Sequence, residues 1–204
     1  MAESFYIDTK EIKSIRVKLD GLKKEIPAAT ASALNRTLDY TATQIGREVT
    51  KTYSIKASLV KKTLRKNRAS KTKLNAYISS TGHTLSLANF PHSPKAPWKG
   101  GGAKPRSVTV KIKQGSNKQI STSPKAFIAP TGGGPDTVQY NVFRRTGEGR
   151  LPITVIRTLS VPQMIGEKDT INRIQKAAEK KLEERIKHEI EYRINKAAGG
   201  KASG

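Results

Sequence analysis

The sequence contains no cysteine. That removes disulfide frameworks, thiolate metal sites and cysteine nucleophiles together, and it fits a reducing compartment. Histidine is almost as scarce, with three in 204 residues. His83 and His92 flank a stretch of loop character and His188 stands among charged residues, so no ligand spacing of the H-x₃-H kind occurs. No run approaches the ~20 apolar residues that a membrane span needs. The opening MAESFYIDTKEIKSI has neither the basic start nor the apolar core of a secretory signal. The expectation is a chain that is soluble and cytosolic when made, with no metal, no cofactor and no membrane partner.

Aromatic residues are few as well: six Tyr, four Phe and one Trp, mostly at strand-like positions. No helix-turn-helix or RNA-binding signature accompanies them, so any nucleic-acid contact is expected to be to phosphate, without base reading. The most telling shortage is of acid in the middle of the chain. Overall, 39 Lys and Arg face 16 Asp and Glu, a net charge of +23. Residues 51–150 hold twenty of those bases against Asp136 and Glu148 alone, a net +18. Residues 167–196 are nearly balanced, with nine bases and seven acids. The flanks therefore read as ordinary solvated helices, and the middle as a surface that needs an acidic partner.

The same shortage argues against catalysis. No acidic cluster exists to hold Mg²⁺, which speaks against a nuclease or other phosphoryl-transfer enzyme. Asp136 and Glu148 each lie beside turn glycines, where acids are ordinary. Gly100 to Gly102 and Gly132 to Gly134 belong neither to a GK[ST] phosphate loop nor to a G-x-G-x-x-G turn. We expect no enzyme, no catalytic residue and no small-molecule substrate.

What is present is hydrophobic periodicity. Ile12, Ile15, Leu19 and Leu22 predict a short amphipathic helix over residues 9–24. Pro27 suits a first helical turn, and Ala28, Ala31, Leu34, Leu38, Ile45 and Val49 continue a long core helix to about Thr52. A third helical piece is expected from Lys56 to Arg65. Alternation predicts strands at Leu74 to Ile78, Thr84 to Leu87 and Val108 to Ile112. Residues 91–106, PHSPKAPWKGGGAKPR, combine prolines, three consecutive glycines and several cations, so they read as a long mobile basic arm. Val138, Tyr140, Val142 and Phe143, a turn at Gly147 to Gly149, and Ile153 to Ile156 predict a hairpin over 137–157. Residues 167–196 give the clearest helix, with the stripe Ile171, Ile174, Ala178, Leu182, Ile186, Ile190 and Ile194. The stripe advances mostly by four, which drifts around a straight helix, so a curved neighbour fits better than a coiled coil. That neighbour is residues 27–52 of the same chain or an adjacent subunit.

The layout is α+β: N-terminal helices, a central β-rich sheet with long basic loops, and a long C-terminal helix. It suits one domain over 1–204, helical at 9–52, β-rich at 53–165 with the arm 91–106, and helical again at 166–198.

Residues 126–164, AFIAPTGGGPDTVQYNVFRRTGEGRLPITVIRTLSVPQM, resemble the C-terminal half of phage minor tail protein Z and related tail-completion proteins. The resemblance rests on an A-F-I strand, a Gly-rich turn, a strand ending F-x-R, the turn T-G-x-x-R-L-P-I and the segment S-V-P-Q-M before the last helix. Phe127, Phe143, Arg144, Arg145, Arg150, Pro152, Ile153, Val161 and Pro162 occupy those places. ALNRT at 33–37 is similar to the L-N-R signature of the same proteins. Arg157, Thr158 and Leu159 depart from it, standing where relatives often have Gly-Pro.

The resemblance implies a virion protein at the head-proximal end of the tail of a long-tailed phage or prophage, assembled in the host cytoplasm. It implies a homo-oligomeric ring, a hexamer, that completes the tail for head joining beside tail terminator, tube or head-neck proteins. The arm and the hairpin are the candidates for reaching the next subunit, with Trp98, Phe143, Arg144, Arg145, Arg150 and Pro152 as inter-subunit or partner contacts. Lys61, Lys62, Arg65, Lys66, Arg68, Lys71, Lys73, Lys95, Lys99, Lys104, Arg106, Lys111 and Lys113 are candidate contacts to DNA phosphate or to acidic partners. The two placements stay open: a channel lined by these cations holds double-stranded DNA without sequence specificity, whereas docking on acidic neighbouring rings orients assembly. Trp98, between Lys95 and Lys99, is either an interface anchor or a stacking platform for a base. The competing class is a basic RNA-binding or ribosome-associated protein. Composition permits it; the paired T-G-x-x-R-L-P-I and S-V-P-Q-M segments and the balanced last helix speak against it.

Overall fold

The computed structural model describes the backbone of residues 3–6 and the full residues 25–100, 107–132 and 139–197, with the side chain of Ala197 excepted. The helix expected over 9–24 lies outside them, as do Lys104, Arg106 and Asp136.

Helix α1 runs Ile26–Thr52 with Pro27 in its first turn, where a missing N–H removes no helical hydrogen bond. Ala29, Ala33, Leu34, Leu38, Ala42, Ile45 and Val49 form its buried face. Thr30 and Thr41 are buried on the same helix, and their hydroxyls donate to the carbonyls of Ile26 and Thr37 at 2.9 and 2.8 Å. These internal bonds let polar residues sit in the core.

The last helix of the chain, Lys168–Ala197, packs antiparallel on α1. Near its start Arg173 reaches Glu48 at the far end of α1, and near its end Arg193 reaches Glu25 just before α1 begins. Ile174, Ala178, Leu182 and Ile186 are buried. Small residues on α1 accommodate larger ones here: Ala29, Thr30 and Ala33 face Ile186, Glu189 and Ile190 across a narrow cleft. The chain thus supplies its own partner for the long helix. The drift of the stripe shows at its end, where Ile194 is exposed.

Three small antiparallel sheets complete the described chain, with every strand but the first falling between these helices in sequence. Helix α2, Ala57–Thr63, stops two residues short of the Arg65 expected, because Leu64–Asn67 is strand β2 and pairs with β3, Tyr77–Ser80. Strand β1, Glu3–Tyr6, pairs on the other side of β3, an edge the sequence did not announce. The second sheet has the order β4-β5-β6, from His92–Ser93, Thr109–Val110 and Lys118–Gln119. It corrects the reading of 91–106 as free of regular structure: the base of the arm is pinned by His92 opposite Val110 and by the Lys111 N–H on the Pro91 carbonyl at 2.9 Å.

The third sheet, β7-β8-β9, joins Phe127–Pro130, Tyr140–Arg145 and Ile153–Val155. The expected hairpin is β8 and β9, with Phe143 opposite Val155 and Arg145 opposite Ile153. The strand expected at 84–87 is reduced to a single bridge, Ser86 to Arg157, flanked by backbone bonds between Leu85 and the Thr158–Leu159 pair. From Leu87 the chain coils into a 3₁₀ turn, Leu87–Asn89, whose Ala88 N–H is capped by the Ser86 hydroxyl. Helix α3, Val161–Ile165, follows the third sheet, and Lys168–Ala197 is α4. Helices at the two ends with small antiparallel sheets between them make an α+β fold. One buried cluster runs from α1 through Val60, Ile78, Val110, Ile128 and Val142 to Met164 and α4.

Candidate functional site

The distribution of acids sets the electrostatics of the surface. Asp39 on α1 accepts from Lys66 Nζ at 2.7 Å and from Arg68 at 2.9 and 3.0 Å. The hydrogen bond from Lys66 is the largest influence on its carboxyl and, together with that from Arg68, outweighs burial and holds it below the usual range. Glu48 is 7% exposed and bridges Lys51 to Arg173 Nε, the latter at 2.8 Å. Burial alone raises its carboxyl, but the hydrogen bonds from Lys51 and Arg173 outweigh burial and lower it. Glu189, 4% exposed, accepts from the Ser32 hydroxyl at 2.8 Å and pairs with Arg36 at 3.4 Å and Arg193 at 3.8 Å. Glu167 and Glu184 accept from Thr170 and Lys181. Much of the chain's limited acid is therefore used inside the fold, and most cations are left over.

Most leftover cations sit where the sequence placed them. Lys61 and Lys62 are exposed in the last turn of α2, the end of a helix that favours positive charge. Arg65 and Lys66 lie on β2, an edge strand rather than a helix end, and charged side chains there discourage edge-to-edge pairing. Lys71 and Lys73 are exposed beyond it. Lys66 and Arg68 differ from their neighbours because Asp39 already engages them. Lys113 lies 5.9 Å above the Tyr53 ring. Lys95 and Lys111 line one groove, while Lys99 is exposed in the arm.

The contact candidates around Trp98 and the hairpin separate into two kinds. Trp98, 49% exposed, lines a groove of about 410 Å³ between Pro94 to Trp98 of the arm and Lys125 to Ile128 at β7, with Arg145 at its wall. Arg144 and Arg150 are exposed. Phe143, in contrast, is 7% exposed and stacks on Phe127 at 6.1 Å, so it holds the sheet together instead of offering a surface. Arg145 stands 5.2 Å over the Phe127 ring and donates to the Arg150 carbonyl, while the Pro152 carbonyl accepts from the Thr146 N–H and hydroxyl, each at 3.1 Å. Arg145 and Pro152 thereby shape the T-G-x-x-R-L-P-I turn, whose tip, Leu151, is 71% exposed.

The other motif letters have equally concrete work. In L-N-R, Leu34 is core, Arg36 reaches Glu189 on α4, and Asn35 grips the backbone of Ala69 with both ends of its amide, each at 2.9 Å. In S-V-P-Q-M, the Ser160 hydroxyl accepts from the Gln163 N–H and the Gln163 side chain accepts from the Ser160 N–H, a capping box that starts α3. Val161, Pro162 and Met164 fill the core below. The buried glutamates escaped the sequence reading because Glu189 sits in a charged run indistinguishable from a solvated face; the Asn in the alanine-rich helix was the one available signal.

Among the described residues, no three His, Asp or Glu side chains come together as a metal site, and no helix is long and apolar enough to cross a membrane. No curated protein and no solved structure matches the chain significantly. A family model does: prophage minor tail protein Z, over residues 10–197. That span takes in all three motifs whose side chains cap, brace and turn this fold, and the chain belongs to the prophage minor tail protein Z family, structural proteins of the phage tail.

Proposed function

We propose that the chain is a ring subunit at the head-proximal end of the tail, completing the tail for head joining, and that its cation-rich middle meets the phosphates of DNA. It acts as a non-catalytic structural subunit and folds as a single unit, a reading supported by the one buried cluster that links α1, the sheets and α4. The observation that carries the DNA contact is the imbalance on the surface: internal pairs engage the acids Asp39, Glu48 and Glu189, while Lys61, Lys62, Arg65, Lys71 and Lys73 have no ion pair among the described residues. Copies of such a surface repel one another, so closing a ring places them where a polyanion neutralises them. The Trp98 groove and the exposed hairpin tip at Leu151 are the surfaces for contacts between subunits, where a half-exposed aromatic in an apolar groove serves as an anchor.

The test is to fractionate an induced lysate by sedimentation and locate the protein by mass spectrometry, then count copies per particle by electron microscopy of purified tails. Recovery with tails and complete virions, as a closed ring at the head-proximal end, is expected. Recovery only with ribosomes or free RNA overturns the reading.

A further inference from the structure

A second groove, of about 560 Å³, lies between the end of α1 and the start of the second sheet. Its lining includes Lys56, His92, Lys95 and Lys111, and no Asp or Glu. Three separate stretches bring the lysines together: Lys56 just before α2, Lys95 after β4 and Lys111 after β5. None of the three has an ion pair among the described residues. The frame around them is fixed, since Lys111 is held through its N–H on Pro91 and the His92 ring through Nδ1 at 2.8 Å from the Phe90 carbonyl.

The lining also contains Ser54, whose hydroxyl oxygen is buried without a hydrogen-bond partner among the described residues. Its backbone N–H is committed to the Ile112 carbonyl at 2.8 Å, which holds the residue in place. A buried hydroxyl left unsatisfied is unfavourable, and Ser54 lines the same groove as three lysines that lack an ion pair among the described residues.

We propose that this groove binds a phosphate group, carried on a polynucleotide strand or free. Lysine binds phosphate as a point charge, and three lysines with no acid among them line the groove, so a ligand carrying more than one negative charge, as phosphate does, is favoured over a single carboxylate. The volume falls within the range of small-ligand sites, which fits phosphate with a nucleotide or two and not a duplex entering whole. The inference deepens the DNA contact proposed above by giving it one defined seat.

Calorimetric titration of the full-length protein tests it, using inorganic pyrophosphate, a 5′-phosphorylated single-stranded octanucleotide and a glutamate octapeptide as probes. The variants are Ser54→Ala and Lys111→Gln, with Lys118→Gln on the exposed strand β6 as control and thermal melting to confirm folding. Pyrophosphate is expected to bind saturably, about tenfold more weakly in K111Q, as for the loss of one charged hydrogen bond, and measurably more weakly in S54A, with K118Q unchanged. If the oligonucleotide follows the same pattern, the phosphate comes on a strand. If pyrophosphate follows it and the oligonucleotide does not bind, the site stands and the DNA contact fails; if the oligonucleotide binds indifferently to Ser54 and Lys111, the site takes free phosphate only and the DNA contact lies elsewhere on the surface. Equal weakening by K118Q, tighter binding of the glutamate peptide, or pyrophosphate binding indifferent to Ser54 and Lys111 overturns the site; in the last case continued binding of the oligonucleotide leaves the DNA contact standing.

Discussion

Asn35 commits both ends of its amide to one residue of the chain, taking the Ala69 N–H and giving to the Ala69 carbonyl. Those bonds tie the loop after β2 to the middle of α1, so the two peptide groups of a buried alanine lose their partner if the amide goes. Asn35→Ala is expected to cost about 1–3 kcal/mol in urea denaturation, the range for orphaned buried polar groups. A loss within error of zero would show that water replaces the amide freely. Glu48 makes a different demand, on pH. Its folded carboxyl lies below the ordinary 4.5, so it contributes stability above that value and the contribution is lost as pH falls through the lower folded one. Unfolding free energy followed from pH 7 to 3 should fall less steeply in Glu48→Gln than in the wild type; parallel curves would contradict the assignment. Neither role was readable beforehand, since Asn35 appeared as one letter of a motif, and Glu48 as one acid on a long helix.

Regular elements were legible wherever a period had room to repeat. The stripe of α4 and the alanine-rich face of α1 each extend over many turns, and both helices lie within a residue or two of expectation. The hairpin of β8 and β9 was readable from its alternation and glycines, whereas S-V-P-Q-M was read only through the family resemblance and its capping box is a finding of the structure. Short pieces were less readable: β5 falls inside the strand read at Val108 to Ile112, but β4 and β6 have two residues each, too few for alternation to show. β2 follows α2 without a break, and its strand character comes from pairing with β3. The basic seat at Lys56, Lys95 and Lys111 was legible only in part, because three distant stretches meet there and the orphan Ser54 hydroxyl carries no sequence signal. Within α4, burial sorts the stripe into core and margin. Leu182→Ala is expected to cost about 2–5 kcal/mol by denaturant unfolding, whereas Ile194→Ala, at the exposed end, should fall within about 0.5 kcal/mol of wild type. Similar losses at both positions would mean that a subunit neighbour covers Ile194 in solution.

At the scale of the whole molecule, a net +23 with its excess gathered in one half is a statement about salt. If the cations of α2 and β2 neutralise DNA phosphates, each contact releases counter-ions, and the logarithm of the affinity falls linearly with the logarithm of salt concentration. Replacing Lys61, Lys62, Arg65, Lys71 and Lys73 together by Gln should then lower affinity for duplex DNA regardless of its sequence and flatten the salt slope by about one for each phosphate contact removed. The five side chains are exposed and outside the Asp39 pair, so the fold should melt as before. Docking on acidic faces of neighbouring tail proteins makes the opposite forecast. The variant would then keep its DNA salt slope and instead lose speed of incorporation into tails at low salt, because charge complementarity between proteins acts chiefly on the rate of encounter. Measuring both quantities on the same five-residue variant decides where the basic face points: a changed slope with normal incorporation places it on DNA, and an unchanged slope with slowed incorporation places it on the tail.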